Sequence, residues 1–448
     1  MSSQSATNAR KTGLSRVLGI PSLVLFGLAY MVPLTVFTTY GPVEQLTEGH
    51  LPGAYLVTLI AMLFTALSYG KMSRLFPVAG SAYTYAQRSF GGNVGFIVGW
   101  SLMLDYILLP MINYLVIGLY LAAAFPAIPQ WVWILLGILI VTVLNILGIK
   151  SVARMNVVLI AAQAAFIVLF LILSIRTISG GSEVSVFGPF FGDNAEFGLI
   201  MTGASILCLS FLGFDAISTL SEEATNPKRS IPRAILITTL TGGLIFIGLS
   251  LVAHWVFPDW QSFSSPDTAS LDVMQKAGGA FLSNFFTAAY VAGAFASALA
   301  SQASVSRILY SMGRDGVLPK RFFGQLNRRF STPANATILV GVVSLIALFI
   351  DLALAASIIS FGALVAFTFV NISVVKSHAI DRRDRKGIAV LTNIVLPLIG
   401  FGLSIWLWTS LPGTSFVVGL IWAGMGLIYL AGLTKLFRVK PPQMDLAE

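Results

Sequence analysis

Charge is what this sequence has least of. Asp, Glu, Lys and Arg make up 10% of its 448 residues, against about 25% in an average soluble domain. That scarcity excludes a water-soluble globule. Cysteine is nearly absent, and the single Cys208 permits no intrachain disulfide. The three histidines, His50, His254 and His378, stand far apart in loops or near a span end. No Cys/His cluster has metal-ligand spacing, so no resident metal is expected. There is also no glycine-rich phosphate loop ending in Gly-Lys-Ser/Thr and no Gly-x-Ser-x-Gly elbow. These absences argue against an enzyme, a catalytic residue set or a bound cofactor. Any work the chain performs draws on an ion gradient, or the chain acts passively.

What fills the sequence is apolar. Hydrophobic residues are 56% of the chain, and a helix needs about 20 of them in a row to cross a bilayer. The runs predict an all-α polytopic membrane protein with twelve spans, at 19–46, 52–75, 94–125, 131–149, 153–178, 198–222, 233–257, 281–309, 335–350, 353–375, 388–410 and 414–436. Lipid is therefore the expected surrounding. The net charge of +9 could suggest nucleic acid, but its placement argues otherwise: 25 of the 27 Lys and Arg fall on the side of the N-terminus, leaving Arg176 and Lys276 opposite. Such a partition follows from membrane orientation and predicts both termini in the cytoplasm of a cell inner (plasma) membrane. Residues 1–16 are polar and lead straight into an apolar span, unlike a cleaved signal peptide. They read as a cytoplasmic tail, as do residues 438–448. Residues 77–92 are expected to run along the cytoplasmic face as a short amphipathic helix, and 257–279 to form an external cap.

Two spans are interrupted. Span six contains Leu209-Ser-Phe-Leu-Gly-Phe-Asp215, with a glycine and an aspartate in mid-membrane. A buried aspartate there is costly unless it faces a cavity or a partner, and irregular backbone survives in a bilayer only beside a cavity or inside protein. Span one contains Pro33, which frees carbonyls around Ala29 and Tyr30. A simple proline kink would account for Pro33 alone. Five spans separate the two interruptions, however, as in an inverted repeat pairing spans one to five (17–180) with six to ten (198–376), followed by two further spans (387–437).

Paired broken helices supply both kinds of ligand. Half-helices beginning near Leu34 and Ala216 offer unpaired N–H groups, and the freed carbonyls accept from an ammonium group. Asp215 adds a full negative charge. A small molecule carrying an amine, with or without a carboxylate, suits such a site. The expected contacts are Ala29, Tyr30, Met31 and Thr35 of span one, Asp105 and Tyr106 of span three, and Ser210, Phe211, Gly213, Phe214 and Asp215 of span six. Tyr30, Phe211 and Phe214 would supply aromatic lining, though each could equally pack in the core or face lipid. Tyr106, Asn113 and Tyr120 share one face of span three, with Asn113 read as interhelical glue. Small and hydroxylated residues from Ser283 through Tyr290 and Ser297 to Ser304 form a stripe on span eight that suits close packing. Glu222 and Glu223, adjacent carboxylates at the end of span six, join Asp105 and Asp215 as candidates to carry a proton; the alternative for the glutamates is a solvated pair facing Lys228 and Arg229.

These motifs resemble a family. Pro77-Val-Ala-Gly-Ser-Ala-Tyr83, Phe211-Leu-Gly-Phe-Asp215, Ile231-Pro-Arg-Ala-Ile235 and the segment from Ser306 to Pro319 are similar to those of amino acid–polyamine–organocation transporters, over essentially the whole chain. Gly27-Leu-Ala-Tyr30, Pro110-Met-Ile-Asn113, Ser221-Glu-Glu223 and the segment from Phe361 to Asn371 resemble bacterial putrescine importers in particular. The resemblance implies a LeuT-like fold, a 5+5 inverted repeat with spans one and six broken, alternating access, proton-coupled uptake and a functional Glu223. Two departures bear on specificity and coupling. Thr38 stands where those importers carry an aspartate, which opens the site to a monoamine, amino alcohol or amino acid. Gln163 aligns with a lysine that some superfamily members use in place of sodium. An amino acid permease of the same family, and less readily a transporter-like sensor, remain the alternative functions.

Overall fold

The computed structural model describes residues 17–78, 81–147, 152–180, 185–192, 195–221, 223–314, 316–327, 329–330, 332–439 and 441. The expected tail 1–16, residues 440 and 442–448 of the expected tail 438–448, and Glu222 lie outside them. Among the described residues, eleven helices are long and apolar enough to cross a membrane. A shorter apolar helix, Ala334–Leu348, takes the place of span nine. The fold is the twelve-span LeuT-like one, a multi-pass membrane protein.

Burial sorts the spans into a core and a rim. Span six (Phe197–Leu220) is 78% buried and span ten (Leu352–Asp381) 72%, whereas span twelve (Gly413–Leu433) is 17% buried and spans four (Gln130–Leu147) and eleven (Ile388–Thr409) 22% each. The rim spans expose Leu139, Ile140, Leu420 and Ile428, side chains that would be a liability in water but are at home against acyl chains. Inside the ring, span two (Leu51–Leu75) packs along span seven (Pro227–Val256), and span three (Gly92–Ala124) runs against spans eight and ten.

The helix Ser81–Phe90 forms with one side buried: Ala82, Tyr85 and Ala86 are covered, the Ser89 and Ser377 hydroxyls are 2.9 Å apart, and Tyr85 meets Tyr69 edge to face. The segment 257–279 contains a helix of its own from Ala269, and after the non-helical Gly278 and Gly279 a second helix runs on to Arg314. The φ of +63° and ψ of −161° at Gly279 suit a residue without Cβ, so the long helix of span eight starts at the double glycine.

Candidate functional site

Both expected interruptions are present, and they touch. The first helix of span one, Ile20–Met31, ends at Val32, whose φ of +49° is a conformation β-branched residues rarely adopt. A short 3-10 turn, Pro33–Phe37, follows, and helix resumes at Tyr40–Leu46. Span six runs as helix Phe197–Phe211, turns through Gly213 at φ +129°, and continues as the 3-10 segment Ala216–Leu220. A Cβ on Gly213 would stand 2.9 Å from the Tyr30 ring and 3.0 Å from the Met31 amide nitrogen. The absence of a side chain is what lets the two breaks meet.

Local hydrogen bonds absorb part of the freed backbone. Thr35 donates through Oγ1 to the Met31 carbonyl at 3.1 Å. The Gly213 amide donates to Asp215 Oδ1 at 3.0 Å, so this carboxylate is oriented by the turn that exposes it. Asp105, on span three, is 4% exposed, and its Oδ1 has no partner among the described residues. Asp105 and Asp215 lie within each other's electrostatic reach, and Tyr30 and Tyr106 within reach of both. Two carboxylates in a dry site are unstable as a pair of bare anions unless a proton or a cation joins them.

A small cavity of about 60 Å³ lies on the other side of the breaks from the N-terminus. Its polar lining is uncharged: Tyr30, Thr35, Thr38, Asn113, Tyr290 and Ser297. Val32, Leu109, Ile112, Leu209 and Leu212 make the wall largely aliphatic. Neither aspartate is in the lining: Asp105 stands one helical turn before Leu109 on span three, and Asp215 follows Leu212 by three residues in the break of span six. Above, Thr38 hydrogen-bonds Tyr290 across the cavity mouth. Over that bond stack Tyr120, 5.0 Å from Tyr290 between ring centres, and Phe286, 5.4 Å from Phe37. Ser270 ties the lid down, meeting the Tyr120 hydroxyl at 2.5 Å and donating to the Phe37 carbonyl at 3.0 Å.

The structure divides the expected contact residues into three groups. Tyr30, Met31 and Thr35 line the cavity. Asp105, Tyr106, Gly213 and Asp215 are outside the lining, with Ala29 partly buried on the first half of span one. Ser210, Phe211 and Phe214 sit in the scaffold instead: Ser210 meets the Tyr55 hydroxyl at 3.1 Å, Phe211 packs on Phe246, and Phe214 lies between Tyr69 and Phe367. Glu223 accepts through its main-chain carbonyl from the Val17 and Leu18 amides at 2.9 and 3.0 Å, joining the start of span one to the end of span six. The sequence reads Asn113 as interhelical glue and the span-eight stripe mainly as close packing, with one or two of its hydroxyls able to meet the permeant. Asn113 does bond Ser297 at 3.1 Å, but Asn113, Tyr290 and Ser297 all line the cavity, and the one-heptad spacing of Tyr290 and Ser297 on span eight was the available signal.

The residues from the start of span one to span twelve match the family described as Amino acid permease, over 22–425. The chain belongs to that family. It is a transporter of the amino acid–polyamine–organocation superfamily. It is 44% identical to the low-affinity putrescine importer PlaP of Escherichia coli (strain K12), covering 99% of each chain. It is also 30% identical to the branched-chain amino acid permease BcaP of Lactococcus lactis subsp. cremoris (strain MG1363), covering 93% of this chain and 94% of the relative. The methylthioribose transporter of Bacillus subtilis (strain 168) is 27% identical over 95% of each.

Proposed function

We propose that this transporter imports a small organic amine, putrescine or a close relative, across the cytoplasmic membrane by proton symport, with both termini in the cytoplasm. The observation that carries this reading is the pair of buried aspartates on spans three and six, next in sequence to Leu109 and Leu212 of a cavity whose lining has no charge. The substrate's ammonium group pairs with Asp215, while its alkyl chain lies along Leu109, Ile112 and Leu212 and its far end reaches Thr38 and Tyr290. A proton travels with it on Asp105, so that ammonium and proton together neutralise the two carboxylates. The free Oδ1 of Asp105 is the atom that receives the proton, because Asp215 is already engaged by Gly213. Glu222 and Glu223 are assigned to passing that proton to the cytoplasm. The 44% identity to a putrescine importer supports the substrate class.

A second reading has its own support. The aliphatic wall and the relationship to a branched-chain amino acid permease favour an amino acid, its carboxylate held by amides at the breaks. Uptake of labelled putrescine into proteoliposomes, with ethanolamine and alanine as competitors, separates the two. Under the first reading an inward proton gradient drives accumulation, amines compete, and Asp105→Asn and Asp215→Asn each lower uptake at least ~10-fold, the loss expected when a buried charged partner is removed. Flux that ignores both the gradient and the amines would sink it. Competition by alanine but not ethanolamine would select the second.

A further inference from the structure

A second cavity, of about 110 Å³, lies where spans two, seven and eleven meet on the face bearing the N-terminus. Lys71 and Arg74, in the last turns of span two, both line it. The rest of its wall is mainly apolar, from Leu67, Pro232, Leu236 and Leu396. Ser68 completes it. That side chain is 1% exposed, and its hydroxyl has no hydrogen-bond partner among the described residues.

The charges here are not used up by the fold. Lys71 donates to the side-chain carbonyl of Asn393, whose amide in turn donates to an Asp384 carboxylate oxygen at 3.0 Å. The ammonium is thereby anchored at the rim with its acid one residue removed. Arg74 is exposed and enters no ion pair or hydrogen bond among the described residues. Arg382 and Lys71 both act on nearby His378, so the local balance is positive despite Asp384. Leu67, which is exposed to 37%, opens the apolar wall toward the membrane, and Ile237 and Val395 are exposed on the neighbouring spans.

We infer that this cavity binds the headgroup phosphate of an anionic phospholipid, with the acyl chain laid over Leu67 and Leu236. Basic pockets between membrane helices at the bilayer surface recognise such headgroups. Here Arg74 and Lys71 meet the phosphate charge, and the unpartnered Ser68 hydroxyl donates to an ester oxygen. The apolar wall distinguishes a lipid from a free anion, because inorganic phosphate would gain nothing from it. A lipid seated there joins span two and span seven, which flank the broken helices, to the peripheral span eleven.

Native mass spectrometry of the purified full-length chain, supplied with dioleoyl phosphatidylglycerol, dioleoyl phosphatidylcholine or inorganic phosphate, tests this. The anionic lipid should be retained at least ~5-fold over the zwitterionic one, the worth of about one basic residue at a membrane surface. Arg74→Gln should erase most of that preference, and Ser68→Ala should weaken retention as well. Both variants are expected to fold: Arg74 holds nothing in place, and Ser68→Ala only deletes an unsatisfied hydroxyl. Equal retention of the two lipids, unchanged preference in Arg74→Gln, or displacement of the phospholipid by equimolar inorganic phosphate would each overturn the proposal.

Discussion

Gly213 stands at φ +129° with the Tyr30 ring and the Met31 amide where its side chain would be. Any Cβ there is penalised twice, by backbone strain and by collision, and the collision falls on the neighbouring break rather than on flexible side-chain ends. Gly213→Ala should therefore cost about 1–3 kcal/mol in stability and lower transport further than the loss of folded protein explains. Thermal unfolding followed with uptake per folded molecule checks both halves; a variant with native stability and native uptake would show that the breaks need not touch. Val32 takes the opposite course, a β-branched residue held at φ +49°. That strain persists because Pro33 on one side and the packed first half of span one on the other leave no alternative. The two aspartates differ in the same local way. Asp215 is fixed by the Gly213 amide at 3.0 Å, whereas Asp105 has a bare oxygen, so Asp215 owes its place to backbone and Asp105 to the packing of span three.

The outer half of span one is pinned to span seven by one buried pair. Glu44 is fully buried, its Oε1 lies 2.5 Å from His254 Nδ1, and its Oε2 accepts from the Leu51 amide at 3.2 Å. Removing His254 strands a carboxylate away from water, which costs about 3–5 kcal/mol. His254→Ala should accordingly lower the thermal midpoint markedly, and Glu44→Gln/His254→Ala should recover part of the loss, because no charge is then left unpaired. If the double variant is no more stable than the single one, the pair is not what holds this helix. Nothing in the chain announced that contact, since 210 residues separate its members and His254 reads as a residue near a span end. The spans themselves were legible, because uninterrupted apolar runs and one-sided basic loops are local features. So were the breaks, through Pro33 and Gly213. Which way a side chain faces was not: Phe211 and Phe214 sit beside Asp215 in sequence yet turn into Phe246, Tyr69 and Phe367, a choice made by neighbouring helices. The double glycine at 278–279 was legible too, as the boundary between two helices.

The contacts on the two sides of the cavity are built differently. Toward the N-terminal face the barrier is thick: the Tyr69–Tyr85–Phe214 cluster and the backbone pairing of Leu18 with Ala224. On the opposite face side-chain hydroxyl bonds, Thr38 to Tyr290 and Ser270 to Tyr120, join a few aromatic rings. Rings slide past one another at little cost compared with breaking main-chain pairs, so the thin side is the one that opens first from this arrangement. Thr38→Val removes the bond and leaves the Tyr290 hydroxyl without it, weakening the lid by about 1 kcal/mol, or roughly fivefold in the open fraction. Ser297→Cys reports that opening, because Ser297 lines the cavity and the native Cys208 is fully buried and should stay silent. In right-side-out vesicles a membrane-impermeant thiol reagent should label Ser297→Cys slowly, several-fold faster once Thr38→Val is added, and more slowly again with saturating putrescine. Labelling that is indifferent to Thr38→Val, or that proceeds only in inside-out vesicles, would place the thin barrier on the other face and reverse the order of opening.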